Sequence, residues 1–156
     1  MSLDRARTHL ARHGLADHIR ELDSSSATVQ LAAQALGTEP ERIAKTLSFL
    51  VDGSPVLVVA AGDARIDNRA FKERFATKAR MIPGDQVEEL VGHAVGGVCP
   101  FGVEPGVTVY LDESLRRFDT VYPACGTASS AAELTLAELE RAAEPAGWVA
   151  VTSVPE

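Results

Sequence analysis

Apolar positions along this chain change period several times, and the changes mark its elements. In "LDRARTHLARHG", Leu3, Ala6, Leu10 and Ala11 fall near helical spacing, and Gly14 is placed as a stop. "HIREL" is short enough only for a strand. "SSSATVQLAAQALG" reads as serine caps, an Ala/Leu-rich helix and Gly37 as its end. In "IAKTLSFLVDGSPVLVVAAG" two apolar runs flank Asp52-Gly53, the dipeptide of a tight hairpin. "DNRAFKERFA" is a helix capped by Asp67, and "KARMI" a short strand. "PGDQVEELVG" is a helix with a capping box from Asp85 and Glu88, closed by Gly92. "VTVYLDES" and "FDTVYPACG" read as strands and "AAEL" as a last inner strand. Thr135 and Glu138 frame a capping box for "LAELERAAE", and "WVAVTS" is a final strand. Hairpins are too frequent for a doubly wound parallel sheet. The pattern predicts an α+β domain with a mixed or mainly antiparallel sheet.

Composition narrows the class. The 156 residues are 46% hydrophobic, which suits one domain, 1–156, with a sizeable core. Aromatics are only 5%, so alanine and valine must fill that core. A net charge of -7 argues against a general nucleic-acid binder. The two cysteines, Cys99 and Cys125, form no CxxC pair and no zinc spacing with histidine, so no metal is expected. The charged N-terminus is not a signal peptide, and no apolar run reaches the roughly 18 residues of a membrane helix. The expectation is a cytoplasmic protein with free thiols and no membrane contact.

Candidate chemistry is sparse. There is no GxSxG, HExxH, Walker loop or Rossmann GxGxxG. His9, His13 and His18 lie on or near the first helix. His93 reads as a helix-end polar residue, and no nucleophile–His–carboxylate triad is suggested. Strand alternation puts Lys45 on the face of Leu47, Phe49 and Val51, so it either snorkels at the sheet edge or serves a site. "VGHAVGGVCPFG" places glycines beside Pro100. Gly96, Gly97, Val98, Cys99 and Pro100 could form a bent, firmly held loop that offers main-chain N–H and C=O groups to a ligand, or simply a tight turn. Cys99 is a buried thiol or a nucleophile toward a thioester or other acyl compound; Cys125 carries the same alternatives. Between residues 64 and 81, six basic residues oppose Asp67 and Glu73. Arg65, Arg69 and Lys72, at i, i+4 and i+7, would share one helical face, either solvated or phosphate-binding.

Together these residues resemble the YbaK-type aminoacyl-tRNA deacylases, the editing domain also found inserted in some prolyl-tRNA synthetases. "IAKTLSFLV" resembles the family's lysine-bearing strand and "VGGVCPFG" its glycine–x–x–x–proline loop. "AAGDARIDNRAFKERF" and "VYPACGTASSAAELTLAEL" match in order and spacing. The likeness runs from about residue 26 to 139, here without synthetase or anticodon-binding domains. It implies a single α+β domain around a curved, partly barrel-like mixed sheet with packed helices. The implied activity is hydrolysis of the ester of a mischarged tRNA, typically one for proline carrying a small amino acid, with no cofactor and no metal. Lys45 would orient the terminal nucleotide or the substrate carbonyl, and Gly96, Gly97 and Pro100 would form the catalytic wall. Val98, Cys99, Phe101 and Gly126 would border the substrate, while Arg65, Arg69 and Lys72 would grip the acceptor end. Prolyl-tRNA synthetase or an elongation factor is the auxiliary partner implied. The rival is a catalytically inactive tRNA- or nucleotide-binding homologue.

Overall fold

The computed structural model describes residues 2–23, 25 and 28–155. Its elements, in chain order, are α1 (Ser2–Ala11), β1 (Ile19–Glu21), α2 (Val29–Leu36), β2 (Ile43–Val51), β3 (Ser54–Ala61), β4 (Arg65–Ile66), α3 (Asn68–Phe75) and α4 (Gly84–Val91). They continue as β5 (Thr108–Asp112), β6 (Thr120–Pro123), β7 (Ser130–Ala132), β8 (Leu134–Thr135), α5 (Leu136–Ala143), β9 (Gly147–Val149) and β10 (Thr152–Ser153). A six-stranded sheet runs β8-β6-β2-β3-β5-β9, with two-stranded pairs β1-β7 and β10-β4 beside it.

The β2–β3 hairpin is the centre of that sheet. Asp52 and Gly53 both take positive φ, 51° and 79°, the backbone a two-residue hairpin turn demands. β2 and β3 pair antiparallel from Ala44↔Ala61 to Val51↔Ser54. β5 lies parallel to β3, and β6 lies parallel to β2 only at Ile43 and Ala44. The sheet is therefore mixed. β3 is buried from Val56 to Ala61, so its apolar run is continuous rather than alternating. Its Leu57 and Val59 face a core shared with Ala6 and Leu10 of α1, Val87 and Val91 of α4, and Leu139 of α5. Val56 and Val58 belong to a second core with Phe49, Phe71 and Phe75. In that core the Phe71 ring lies 4.8 Å from Phe49 and 4.6 Å from Phe75, centroid to centroid.

Local chemistry explains the element ends. Asp67 accepts from the N–H groups of Arg69 and Ala70, capping α3 as expected. Thr135 and Glu138 make the reciprocal capping box of α5. α2 stops at Gly37 and α4 at Gly92. Other expectations need correcting. α4 has no capping box: Pro83 precedes it, and among the described residues no side chain caps its first N–H groups. Thr28 caps α2; of the serines expected there, Ser24 and Ser26 lie outside the described residues. "KARMI" contributes one bridge, Phe49↔Met81, because its flanking bonds are limited to Leu50 N–H to Arg80 O and Ile82 N–H to Ser48 O. "AAEL" splits between β7 and β8, and "WVAVTS" between β9 and β10. The second split is held by buried Asp112, which accepts from Val151 N–H at 3.0 Å and the Thr152 hydroxyl at 2.6 Å. Arg65 lies on β4, before the cap of α3, so it shares no helical face with Arg69 and Lys72.

Candidate active site

The ladder on the outer edge of β2 is interrupted. β6 covers it at Ile43 and Ala44, and the 80–82 segment covers it from Ser48 onward. Between them a cavity of about 300 Å³ opens against the strand. Six consecutive strand residues, Ile43 through Ser48, line it, so the cavity meets β2 edge-on rather than on one face. Gly96 and Val98 line it from the 96–100 loop, Met81 and Val95 are its exposed apolar rim, and Ser130 and Tyr122 add hydroxyls. Among the described residues lining it, Lys45 alone carries a charge.

Lys45 is half-buried, and its ammonium donates to the carbonyls of Gly62 (3.2 Å) and Ala64. An ammonium has three protons, so one is left for a ligand. Burial pushes its pKa below the ordinary lysine value; Asp63 pulls it back up and Arg65 pushes it further down. Asp63 does not neutralise the lysine by direct pairing, because Arg117 holds its two carboxylate oxygens at 2.6 and 3.1 Å. The result is a fixed cation at one end of an otherwise uncharged cavity. Arg42 and Arg117 both lie over the Phe118 ring, at 5.2 and 4.8 Å, and Arg65 stands close enough to Lys45 to push its pKa down.

The 96–100 loop is held from behind. Gly96 has φ 94°, a conformation side chains resist. Gly97 lies against the main chain of Gly126, and a Cβ there would stand 2.5 Å from Thr127 N. Gly97 and Gly126 line a second depression, with Leu3, Glu88 and Thr127, and not the main cavity. The Gly97 N–H is committed to Ala94 O at 3.0 Å. Among the described residues, the N–H groups of Gly96 and Val98 make no main-chain hydrogen bond. Cys99, Pro100 and Phe101 are buried behind the wall and do not line the cavity.

His93 ties the loop shut at its base. Its ring is fully buried, and Nε2–H donates to Phe101 O at 2.6 Å, joining the residues on either side of the loop. Burial holds its pKa below the ordinary histidine value, while the bond to Phe101 O pulls less strongly the other way. Its Nδ1 has no partner among the described residues. Spacing alone gave His93 no such role; its position just after the helix-ending Gly92 was the available signal.

The thiols are poor nucleophiles. Burial pushes Cys99 up to about 12, while the Phe101 and Gly126 main chain pulls less strongly the other way. Cys125 is raised for the same first reason. Arg69 and Lys72 are exposed on α3, with Arg69 3.4 Å from Glu73. Neither they nor Arg65 lines the cavity. The sequence reading missed Thr46, Arg42 and Arg117; the Arg116-Arg117 pair beside Phe118 was the one visible hint.

Among the described residues one cluster has metal-ligand chemistry: His9, His13 and Glu144 bring ligand atoms within 4.8 Å of one another. Both His9 nitrogens are already engaged, Nε2 at 2.6 Å from Ala142 O and Nδ1 at 3.1 Å from an Arg12 nitrogen. The group thus joins α1 to the end of α5 by hydrogen bonds. No helix among the described residues is long and apolar enough to cross a membrane.

A curled mixed sheet whose interrupted edge, lysine and glycine–proline loop enclose a small cavity defines an editing-domain architecture, and the chain belongs to the aminoacyl-tRNA editing domain family, which matches residues 23–142. It is 48% identical over 152 residues to YwhH of Bacillus subtilis, described as an uncharacterized protein, covering 97% of each chain. It is 33% identical over 100 residues to the proline–tRNA ligase of Geobacillus thermodenitrificans, matching 64% of this chain but only 17% of the ligase. A solved structure described as "a putative trans-editing enzyme for prolyl tRNA synthetase" superposes with TM-score 0.87 at 29% identity, over 97% of both chains.

Proposed function

We propose that this protein is an aminoacyl-tRNA deacylase that acts in trans, hydrolysing the ester of a small amino acid mischarged onto tRNA for proline, with residues 1–156 working as one editing domain. The observation that carries this reading is the cavity: about 300 Å³, apolar, and charged only at Lys45 among its described lining. It suits a small uncharged side chain with an ester and phosphates toward the cationic end. A synthetase site that accepts proline cannot strongly reject smaller amino acids, since one methylene is worth about 1–3 kcal/mol. A second, hydrolytic site supplies the missing discrimination.

The chemistry needs little from the protein. An aminoacyl ester is already activated, so water is a sufficient nucleophile once positioned. This agrees with a site whose thiols are buried and held protonated. In the proposed mechanism Lys45 offers its third proton to the substrate's oxygen or terminal phosphate. The N–H groups of Gly96 and Val98 stabilise the tetrahedral oxyanion, and a loop carbonyl holds the water. Gly97, Pro100, Cys99, Phe101 and Gly126 act through the shape of the loop. The acceptor-end phosphates meet Arg65, Arg42 and Arg117, with Arg69 and Lys72 further along α3. Prolyl-tRNA synthetase or an elongation factor supplies substrate as partner, and the work is done in the cytoplasm.

The test charges tRNA for proline separately with alanine, cysteine, serine, threonine and proline, and follows ester loss with folded protein. Rapid loss of a mischarged species with proline spared is expected. Undiminished esters throughout would reject the deacylase reading in favour of a binding homologue.

A further inference from the structure

The interrupted edge of β2 has a length and a polarity that fit one amino-acid residue. Main-chain groups on a strand alternate between its two edges. Leu50 N–H bonds Arg80 O and Ile82 N–H bonds Ser48 O, so even-numbered residues point their N–H and C=O groups outward from β3. Thr46 has the same phase. Among the described residues no strand or segment covers it: the β6 ladder ends at Ala44, and the 80–82 segment reaches only to Ser48. The N–H and C=O of Thr46 thus project to an uncovered stretch of roughly 10 Å at strand rise, inside the cavity. Both ends of the stretch are blocked by chain, which excludes an extended peptide and leaves space for a single residue.

We propose that the aminoacyl group of the substrate docks as a one-residue antiparallel strand on Thr46. This rests on the deacylase reading and specifies how that site takes its substrate. Residues directly opposite in an antiparallel pair exchange two bonds, N–H to C=O in each direction. An aminoacyl ester carries the same two groups flanking one Cα. Its α-amine donates to Thr46 C=O, and its ester carbonyl accepts from Thr46 N–H, which polarises the carbon that water attacks. The side chain takes no part in these two bonds, so the same dock serves several small amino acids. Cavity walls such as Val98 and Met81 then set the size limit. The Thr46 hydroxyl is buried and has no partner among the described residues, and it is not needed for this docking.

The test uses the wild-type protein and the aminoacyl-tRNA it cleaves fastest. Nitrous acid converts that substrate to its 2-hydroxyacyl counterpart, with the side chain and ester kept and the amine replaced by hydroxyl. Rates are expressed over each ester's spontaneous hydrolysis. The hydroxyl can still donate to Thr46 C=O, but as a neutral group, and this weaker bond predicts an enhancement about 10-fold lower for the hydroxyacyl ester. Equal enhancement for the two esters overturns the proposal while leaving deacylation intact. Thr46→Val keeps the main chain and is expected to preserve the ratio between the two esters. If that variant abolishes the ratio, the hydroxyl is the amine's partner and main-chain docking is wrong. Failure of the folded protein to cleave any aminoacyl ester rejects the deacylase reading itself.

Discussion

Gly97→Ala isolates the packing that holds the 96–100 loop. Gly97 is not in the left-handed region, so alanine brings no backbone strain of its own. What it brings is a Cβ 2.5 Å from Thr127 N, where ordinary contacts begin at 3.4 Å. The obstacle is main chain rather than a flexible side chain, so the 96–100 loop and the 126–127 turn must part by about 1 Å. Overpacking of this kind costs about 1–3 kcal/mol. In a domain of this size that lowers Tm by about 2–12 °C. The larger effect is expected in catalysis, because a displacement of about 1 Å at positioned groups costs roughly 100-fold in rate. Gly106→Ala is the control. Its φ of 93° strains alanine, but a Cβ there meets nothing within 4 Å. It should lower Tm modestly and leave deacylation unchanged. Thermal melts and deacylation rates for both variants decide the matter. A Gly97→Ala protein with wild-type Tm and wild-type rate would refute the claim that contact with Gly126 shapes the wall.

Phe71→Ala should destabilise the fold by about 3–5 kcal/mol in urea titrations, since its ring is fully buried between Phe49 and Phe75; a loss under 1 kcal/mol would contradict the second core. His93 has a depressed folded pKa, so its contribution is present above the ordinary value of 6.5 and is lost as pH falls below it. Urea unfolding between pH 7.5 and 5.5 should show that loss, and His93→Leu should flatten it; identical pH slopes would assign it elsewhere. Cys99, fully buried and pushed up to about 12, should resist iodoacetamide at neutral pH, and Cys99→Ala should retain deacylation. Rapid alkylation prevented by substrate would instead make the thiol a participant.

The elements were legible wherever the signal was local. Asp52-Gly53 encodes its own turn, and Asp67, Thr135 and Gly37 mark their helix ends through bonds within a few residues. The period also placed Lys45 with Leu47, Phe49 and Val51, and the glycine–proline spacing singled out the loop. What stayed hidden depends on distant partners. Asp85 and Glu88 have the spacing of a capping box, but the helix is capped at Pro83, ahead of the position the box requires. "WVAVTS" divides because Asp112, remote in sequence, captures Val151 and Thr152. Arg65 had helical spacing to Arg69, yet pairing of β4 with β10 holds it in a strand. The free edge at Thr46 could not be read at all, since a gap in a ladder is a property of strands that fail to meet.

The measurement that bears most directly on the central claim compares wild type and Lys45→Ala in deacylation of the mischarged tRNAs for proline. Each protein is first shown to be folded by circular dichroism. The account predicts rapid release of a small amino acid by the wild type, sparing of prolyl-tRNA, and loss of that activity in the variant. A folded Lys45→Ala protein that deacylates at the wild-type rate would contradict it.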